Sequence, residues 1–142
     1  MAYDDQNIFA RILRGEIPAH KVYEDEQTLA FMDLGQVNPG HTLVAVKRHA
    51  TDLLDLTADE AAAAMRTAHR VAQAVKKAFD PPGLTLLQCN GQAGDQTVFH
   101  FHIHVVPRHV DDGVGLSWPR KDPARDQLEA YAAQLRQALA AG

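Results

Sequence analysis

The run Phe99-His100-Phe101-His102-Ile103-His104-Val105-Val106 constrains this chain more than any other segment. Imidazole and apolar side chains alternate along it, which is the period of a β-strand, whose successive side chains point to opposite faces. The run therefore predicts a strand with His100, His102 and His104 in a row on one face and Phe101, Ile103 and Val105 on the other. Such a strand belongs in a sheet with one face on a core and the other free for chemistry.

The rest of the chain is compatible with one such sheet. Its 142 residues, 46% hydrophobic and 23% charged, have the length and balance of a single globular domain. No repeat, low-complexity tract or linker divides them, so one domain is expected over residues 1–142. No apolar run approaches the ~18 residues needed to cross a bilayer, and membrane insertion is not expected. Met1-Ala2-Tyr3-Asp4-Asp5-Gln6 is acidic and lacks the regions of a secretory signal, so a cytoplasmic location is expected. Cys89 is the single cysteine, which excludes an intrachain disulfide and a cysteine cluster for zinc. It reads as a small buried hydrophobe. A net charge of −4 argues against broad capture of nucleic acid, so a phosphate ligand must be held by a local site.

Periodicity and punctuation place the elements. Ile8, Phe9, Ile12 and Leu13 recur at helical spacing, with Gly15 to end the turn and Pro18 to break the pattern. Lys21–Glu24 and Thr28–Asp33 read as a hairpin across Asp25-Glu26-Gln27. Asn38-Pro39-Gly40 is turn chemistry leading through His41 into a strand at Thr42–Val46. Thr57-Ala58-Asp59-Glu60 fits a capping box opening a helix over Ala58–Phe79, with an expected apolar stripe of Ala61, Met65, Ala68, Ala72, Val75 and Phe79. After Asp80-Pro81-Pro82-Gly83, Leu84–Cys89 is expected to be a buried strand. The polar loop Asn90–Gln96 then delivers the chain into the histidine strand. Asp111–Lys121 reads as a surface loop, and Asp122-Pro123 as the cap and first position of a last helix bearing Leu128, Tyr131, Leu135 and Leu139 on one face. Together these predict an α+β fold, an antiparallel meander of about five strands with helices packed mainly on one face.

Three aligned imidazoles admit three readings. They can be solvated polar residues on a sheet face. They can be metal ligands, since side chains two residues apart on a strand converge on one ion and zinc accepts imidazole, with His41 or His49 to complete the set. They can also be catalytic, one attacking and its neighbours handling hydrogen bonds and protons. Phosphorus is the natural electrophile, because imidazole forms a phosphoramidate-type intermediate that water cleaves. The adjoining loop supports this last use, with glycines for close backbone approach, N–H groups for phosphate oxygens, and Asn90, Gln96 and Thr97 as neutral donors.

His-Phe-His-Ile-His-Val-Val at 100–106 resembles the His-φ-His-φ-His-φ-φ signature, φ being apolar, of the histidine triad (HIT) superfamily of nucleotide hydrolases and transferases. The segments Asn7–Pro18, Leu29–Leu34, Asn38–Val44, Asn90-Gly91 and Gln96-Thr97-Val98 resemble parts of the same proteins in the same order, so the likeness covers about residues 5–109 and leaves the loop and helix of 110–142 unassigned. It implies a HIT-like fold of the bacterial branch and a homodimer. It also implies a purine nucleotide as substrate, phosphoramidase or dinucleoside polyphosphate hydrolase activity, AMP as product, and cleavage at the α-phosphorus through a nucleotidyl-histidine. By position the resemblance makes His102 the nucleophile, His104 a hydrogen-bond partner of phosphate or leaving group, and His100 the residue orienting the central ring, with His41 close behind. It sets Gln96 and Thr97 at the phosphate or leaving group, Asn90 at the ribose-phosphate end and Asp33 on the ribose hydroxyls. Ile8, Phe9, Ile12, Ile17, Phe31 and Leu34 would wall the base, although an apolar helix stripe also reads as plain core.

Two departures stand out. Many bacterial members carry Cys-x-x-Cys where Asn7 and Ala10 stand here, and with histidines placed like His49 and His100 those cysteines hold a structural zinc. The pair is missing, so no zinc and no other cofactor is expected, and His49 reads as a surface residue. Asp95 stands where the family usually has glycine. A carboxylate there would repel a phosphate unless it points outward, leaving open a nucleotide-binding regulatory protein with little turnover. The uridylyltransferase branch fits less well, because it replaces the last triad histidine by Gln and His104 is retained.

Overall fold

The alternation that defines the histidine run also organises its neighbours, and the strands pair so that their two sets of side chains line up across the sheet. The structure, a computed structural model, describes residues 2–142. In chain order it contains α1 (Ile8–Leu13), β1 (Lys21–Glu24), β2 (Thr28–Met32), β3 (Thr42–Val46), α2 (Ala58–Phe79), β4 (Gly83–Leu87), β5 (His102–Arg108) and α3 (Arg125–Ala141). The five strands form one antiparallel sheet in the order β1-β2-β3-β5-β4. Across it Ala30 faces Val44, which faces Ile103, while Phe31 faces Leu43, which faces His104. Each register line lies on one face, so a slip of one residue would carry every histidine into the opposite layer.

The larger core lies between the sheet and α2: Ala30, Val44, Val46, Phe101, Ile103 and Val105 pack against Ala64, Ala68, Val71 and Val75. Thr57 starts α2 through both bonds of the capping box with Glu60. The helix ends where Asp80 turns left-handed at φ 47° and the two prolines follow. The buried stripe differs from the expected one. Ala63, Ala64, Thr67 and Val71 face inward, whereas Met65 and Phe79 are about half exposed. Close approach of helix to sheet selects the small alanines over the larger methionine, and the inward Thr67 hydroxyl is satisfied by Thr28 at 2.7 Å. Phe79 instead packs over Gly40, whose positive φ of 101° and close ring contact leave no room for a side chain.

The opposite face carries a smaller core of Leu29, Phe31, Leu43 and Ala45 under Phe9 and Ile12 of α1. Both faces of the central strands are therefore covered, and the histidines look into this second, thinner layer. Asn7 caps α1, its Oδ1 accepting from Ala10 N–H at 2.9 Å, and Gly15 leaves it with φ 78°. Pro107, inside a central strand, costs no ladder bond. The β3 ladder has ended at Val105, and the Pro107 carbonyl on that side accepts from Asn38.

The structure departs from the sequence expectations at several places. The ladder of β5 begins at His102, so His100 precedes the strand proper. β4 is an edge strand with Leu84, Leu86 and Leu87 exposed, and Cys89 beyond it is half-buried. α3 starts at Arg125 behind Ala124, which has no side-chain acceptor to cap it, and the expected cap, Asp122, lies before the helix beside Arg120. No α3 residue is buried. Asp112, within the expected surface loop, turns inward to accept from Arg108, Asn38 and the His109 and Val114 backbone N–H groups.

Candidate active site

His102 and His104 alternate on β5 and so reach the same face, where α1 arches over them and leaves a cleft of about 300 Å³. Ala45, the smallest residue of β3, lies directly across from His102 and leaves room for its ring. Phe9 meets that ring edge-on with centroids 4.8 Å apart. The cleft is walled by Ile8, Phe9, Ile12, Ile17, Phe31 and Leu34, with Asp33, Thr97, His102 and His104 as its polar members. Phe9, Ile12 and Phe31 belong at once to the smaller core and to the cleft wall. The two uses assigned to that apolar stripe therefore coincide. Pro18, Ala19, Met32, Leu43 and Val98 complete the lining and were not anticipated. Leu43 had a signal, since alternation in Thr42–Val46 places it with Ala45 on one face.

Hydrogen bonds fix which nitrogen of each imidazole carries a proton. His102 Nδ1 lies 2.7 Å from the His100 carbonyl oxygen. That oxygen can only accept, so Nδ1 carries the hydrogen and donates. Burial pulls the His102 pKa below 6.5, which keeps the ring neutral at pH 7 and leaves Nε2 with its lone pair. The neighbouring site has the opposite tautomer. Val37 N–H donates to His41 Nδ1 at 3.3 Å, so His41 holds its proton on Nε2 and donates to His104 Nδ1 at 2.9 Å. His104 must then carry its own proton on Nε2, and burial holds its pKa down to about 4. One strand thus presents a lone-pair nitrogen at 102 and an N–H donor at 104.

Asp33 continues the alternation of Leu29 and Phe31 just beyond β2. Its Oδ1 accepts from Gly35 N–H, and its Oδ2 lies 3.4 Å from His41 Nε2 and 3.9 Å from His104 Nδ1. Donor atoms of Asp33, His41 and His104 all fall within 4.8 Å of one another, the one group among the described residues with the spacing of a metal site. The three triad rings do not converge in that way.

The remaining expected residues stand farther back. His41 is buried behind His104 rather than on the cleft wall. His100 is fully buried, its Nε2 donating to the Val46 carbonyl oxygen at 2.6 Å. Gln96 is also buried, its Oε1 accepting from Gly91 N–H and its Nε2 donating to the Thr51 and Val98 carbonyls. The Asn90 side chain accepts from Leu53 N–H and pairs with Gln88. Neither amide therefore opens on the cleft in this conformation; both pin the loop that positions Thr97. Asp95 adopts φ 68°, is exposed, and lies with Gln96 and Thr97 along a neighbouring open pocket, not on the cleft wall. His49 is exposed, as expected, with Tyr3 stacked on it.

Comparison with known proteins agrees with this geometry. A model of the HIT domain matches residues 14–111. Protein hit of Bacillus subtilis is 43% identical over 112 residues, covering 78% of this chain and 77% of its own. The adenosine 5'-monophosphoramidase hnt1 of Schizosaccharomyces pombe is 33% identical over 129 residues, covering 90% and 94%. The crystal structure of a HIT family protein from Bacillus anthracis superimposes with a TM-score of 0.90 at 39% identity, over 94% of this chain and 97% of that one. With the matched span running through the sheet and all three alternating histidines, the chain belongs to the HIT domain family.

Proposed function

We propose that the chain is a metal-independent nucleotide hydrolase that cleaves at the α-phosphorus of a purine nucleoside phosphoramidate or dinucleoside polyphosphate. The observation that carries this is the His102 tautomer: Nδ1–H is committed to the His100 carbonyl, and the ring lies on the cleft wall with Nε2 unprotonated. In the reaction Nε2 attacks phosphorus and a P–N bond to His102 forms as the leaving group departs with its electron pair. The positive charge that develops on the ring is met by the His100 carbonyl, while His104 Nε2–H donates to phosphate or leaving group. Water then attacks the same phosphorus, releasing AMP and returning His102 to its neutral form. The proton lost by water balances the one gained by the leaving group. The apolar wall suits a purine ring, and Asp33 is at a position to accept from ribose hydroxyls. The name of the fission-yeast relative, a monophosphoramidase, supports the same class of substrate.

The active form is proposed to be a homodimer in the cytoplasm. A second copy would cover Leu84, Leu86 and Leu87 on the β4 edge and the apolar face of α3, which nothing among the described residues buries. No described helix is long and apolar enough to cross a membrane. The test is turnover of adenosine phosphoramidate and of a diadenosine polyphosphate by His102→Ala and His102→Asn. Loss of at least about 10³-fold in kcat is expected for both, and undiminished turnover removes His102 from the nucleophile role.

A further inference from the structure

Tyr3 lies outside the cleft, yet its side chain ends on the triad. Its hydroxyl is 2.6 Å from His100 Nδ1, and its ring stacks on His49 with centroids 4.6 Å apart and planes 18° from parallel. The direction of the hydrogen bond follows from the other side of the ring. His100 Nε2 faces the Val46 carbonyl, which can only accept, so Nε2 carries the proton and Nδ1 is a bare acceptor. Tyr3 therefore donates. His100 lies before the β5 ladder, where no strand pairing fixes its backbone; the two ring bonds, together with Phe101 N–H donating to Ala50, hold it in place. The carbonyl so held is the one that accepts from His102 Nδ1.

We propose that Tyr3 is a positioning residue, whose hydroxyl locks the His100 ring and through the His100 carbonyl sets the orientation and tautomer of His102. In the hydrolase reading, on which its catalytic consequence rests, that makes the N-terminal segment part of the attacking group's support. The segment is built to deliver the ring. Asp4 accepts from Gln6 and Asn7, Asn7 caps α1, and Arg14 of the helix exit donates to the Asp5 carbonyl. A tyrosine here satisfies the buried Nδ1 with a neutral donor, where an apolar residue would leave it unpaired.

Tyr3→Phe keeps the stack on His49 and removes only the hydroxyl; Tyr3→Ala removes both. With assays run at a temperature where thermal melts show each variant folded, both are expected to lose about tenfold in kcat at nearly unchanged KM. Nitrogen NMR of the histidines gives the second readout. Loss of the hydroxyl should shift the His100 Nδ1 resonance toward that of an unbonded nitrogen and perturb both nitrogens of His102. Wild-type kcat and unmoved His102 resonances in Tyr3→Phe would overturn the proposal, as would a kcat loss confined to Tyr3→Ala, which would make Tyr3 a packing residue. If the wild-type chain turns over neither nucleotide substrate, the hydrolase reading fails, while the His102 resonances still decide whether Tyr3 positions the ring.

Discussion

Three of the four histidines in and behind the cleft take their tautomer from a partner of fixed polarity, His100 from the Val46 carbonyl, His102 from the His100 carbonyl and His41 from the Val37 N–H, and His104 takes its tautomer in turn from His41. Two pH effects follow. In the proposed reaction attack requires neutral His102, and burial lowers its pKa, so kcat/KM should rise with pH through a midpoint below 6.5 and be level at neutrality. A midpoint at or above 6.5 in the pH–rate profile would contradict that. Stability has a related acid limb. Burial pushes His100 from 6.5 in the unfolded chain down to about 4 in the fold. Its contribution is therefore complete above pH 6.5 and is lost as pH falls from 6.5 toward 4. Urea melts across that window should steepen the acid limb for the wild-type chain relative to His100→Gln. At this scale the alternation made legible that His102 and His104 share one face, but not what each nitrogen touches. The inward turn of Gln96 and the reach of Tyr3 to His100 span distant positions, and no local period encodes such contacts.

Elements were legible where period and punctuation agree. The capping box at Thr57 and the prolines after Asp80 bound α2 as expected, and the Asn38-Pro39-Gly40 turn leads into β3. What failed was phase, because an alanine-rich helix offers several apolar stripes and packing distance decides among them. Asp122-Pro123 failed for a different reason: the helix starts later, at Arg125, with Ala124 and not Asp122 in the cap position. Two substitutions measure how these elements hold. Thr57→Ala removes one bond of the box and should cost ~1 kcal/mol in denaturant unfolding. Phe101→Ala empties a buried position between β5 and α2 and should cost about 3–5 kcal/mol. Equal effects of the two would mean that the core does not depend on the apolar face of the histidine strand.

In the whole molecule one strand serves two layers: its odd-numbered residues join the sheet to α2, and its even-numbered histidines line the opposite face under α1. The segment Leu84–Cys89 reads as a buried strand, and in the single chain its leucines Leu84, Leu86 and Leu87 lie on an exposed edge. The proposed second copy would reconcile the two: if it covers this edge, Leu84→Glu with Leu86→Glu should sediment as a monomer and the wild-type chain as a dimer, and an unchanged sedimentation coefficient would contradict an interface at β4. In the proposed reaction His102 carries the nucleotide during turnover. Mass spectrometry of the acid-avoiding, rapidly quenched His104→Ala variant after mixing with adenosine phosphoramidate tests it most directly. One adenylyl group is predicted on the peptide containing His102 and none on the His102→Ala chain; an adduct on another residue, or full turnover without His102, would contradict it.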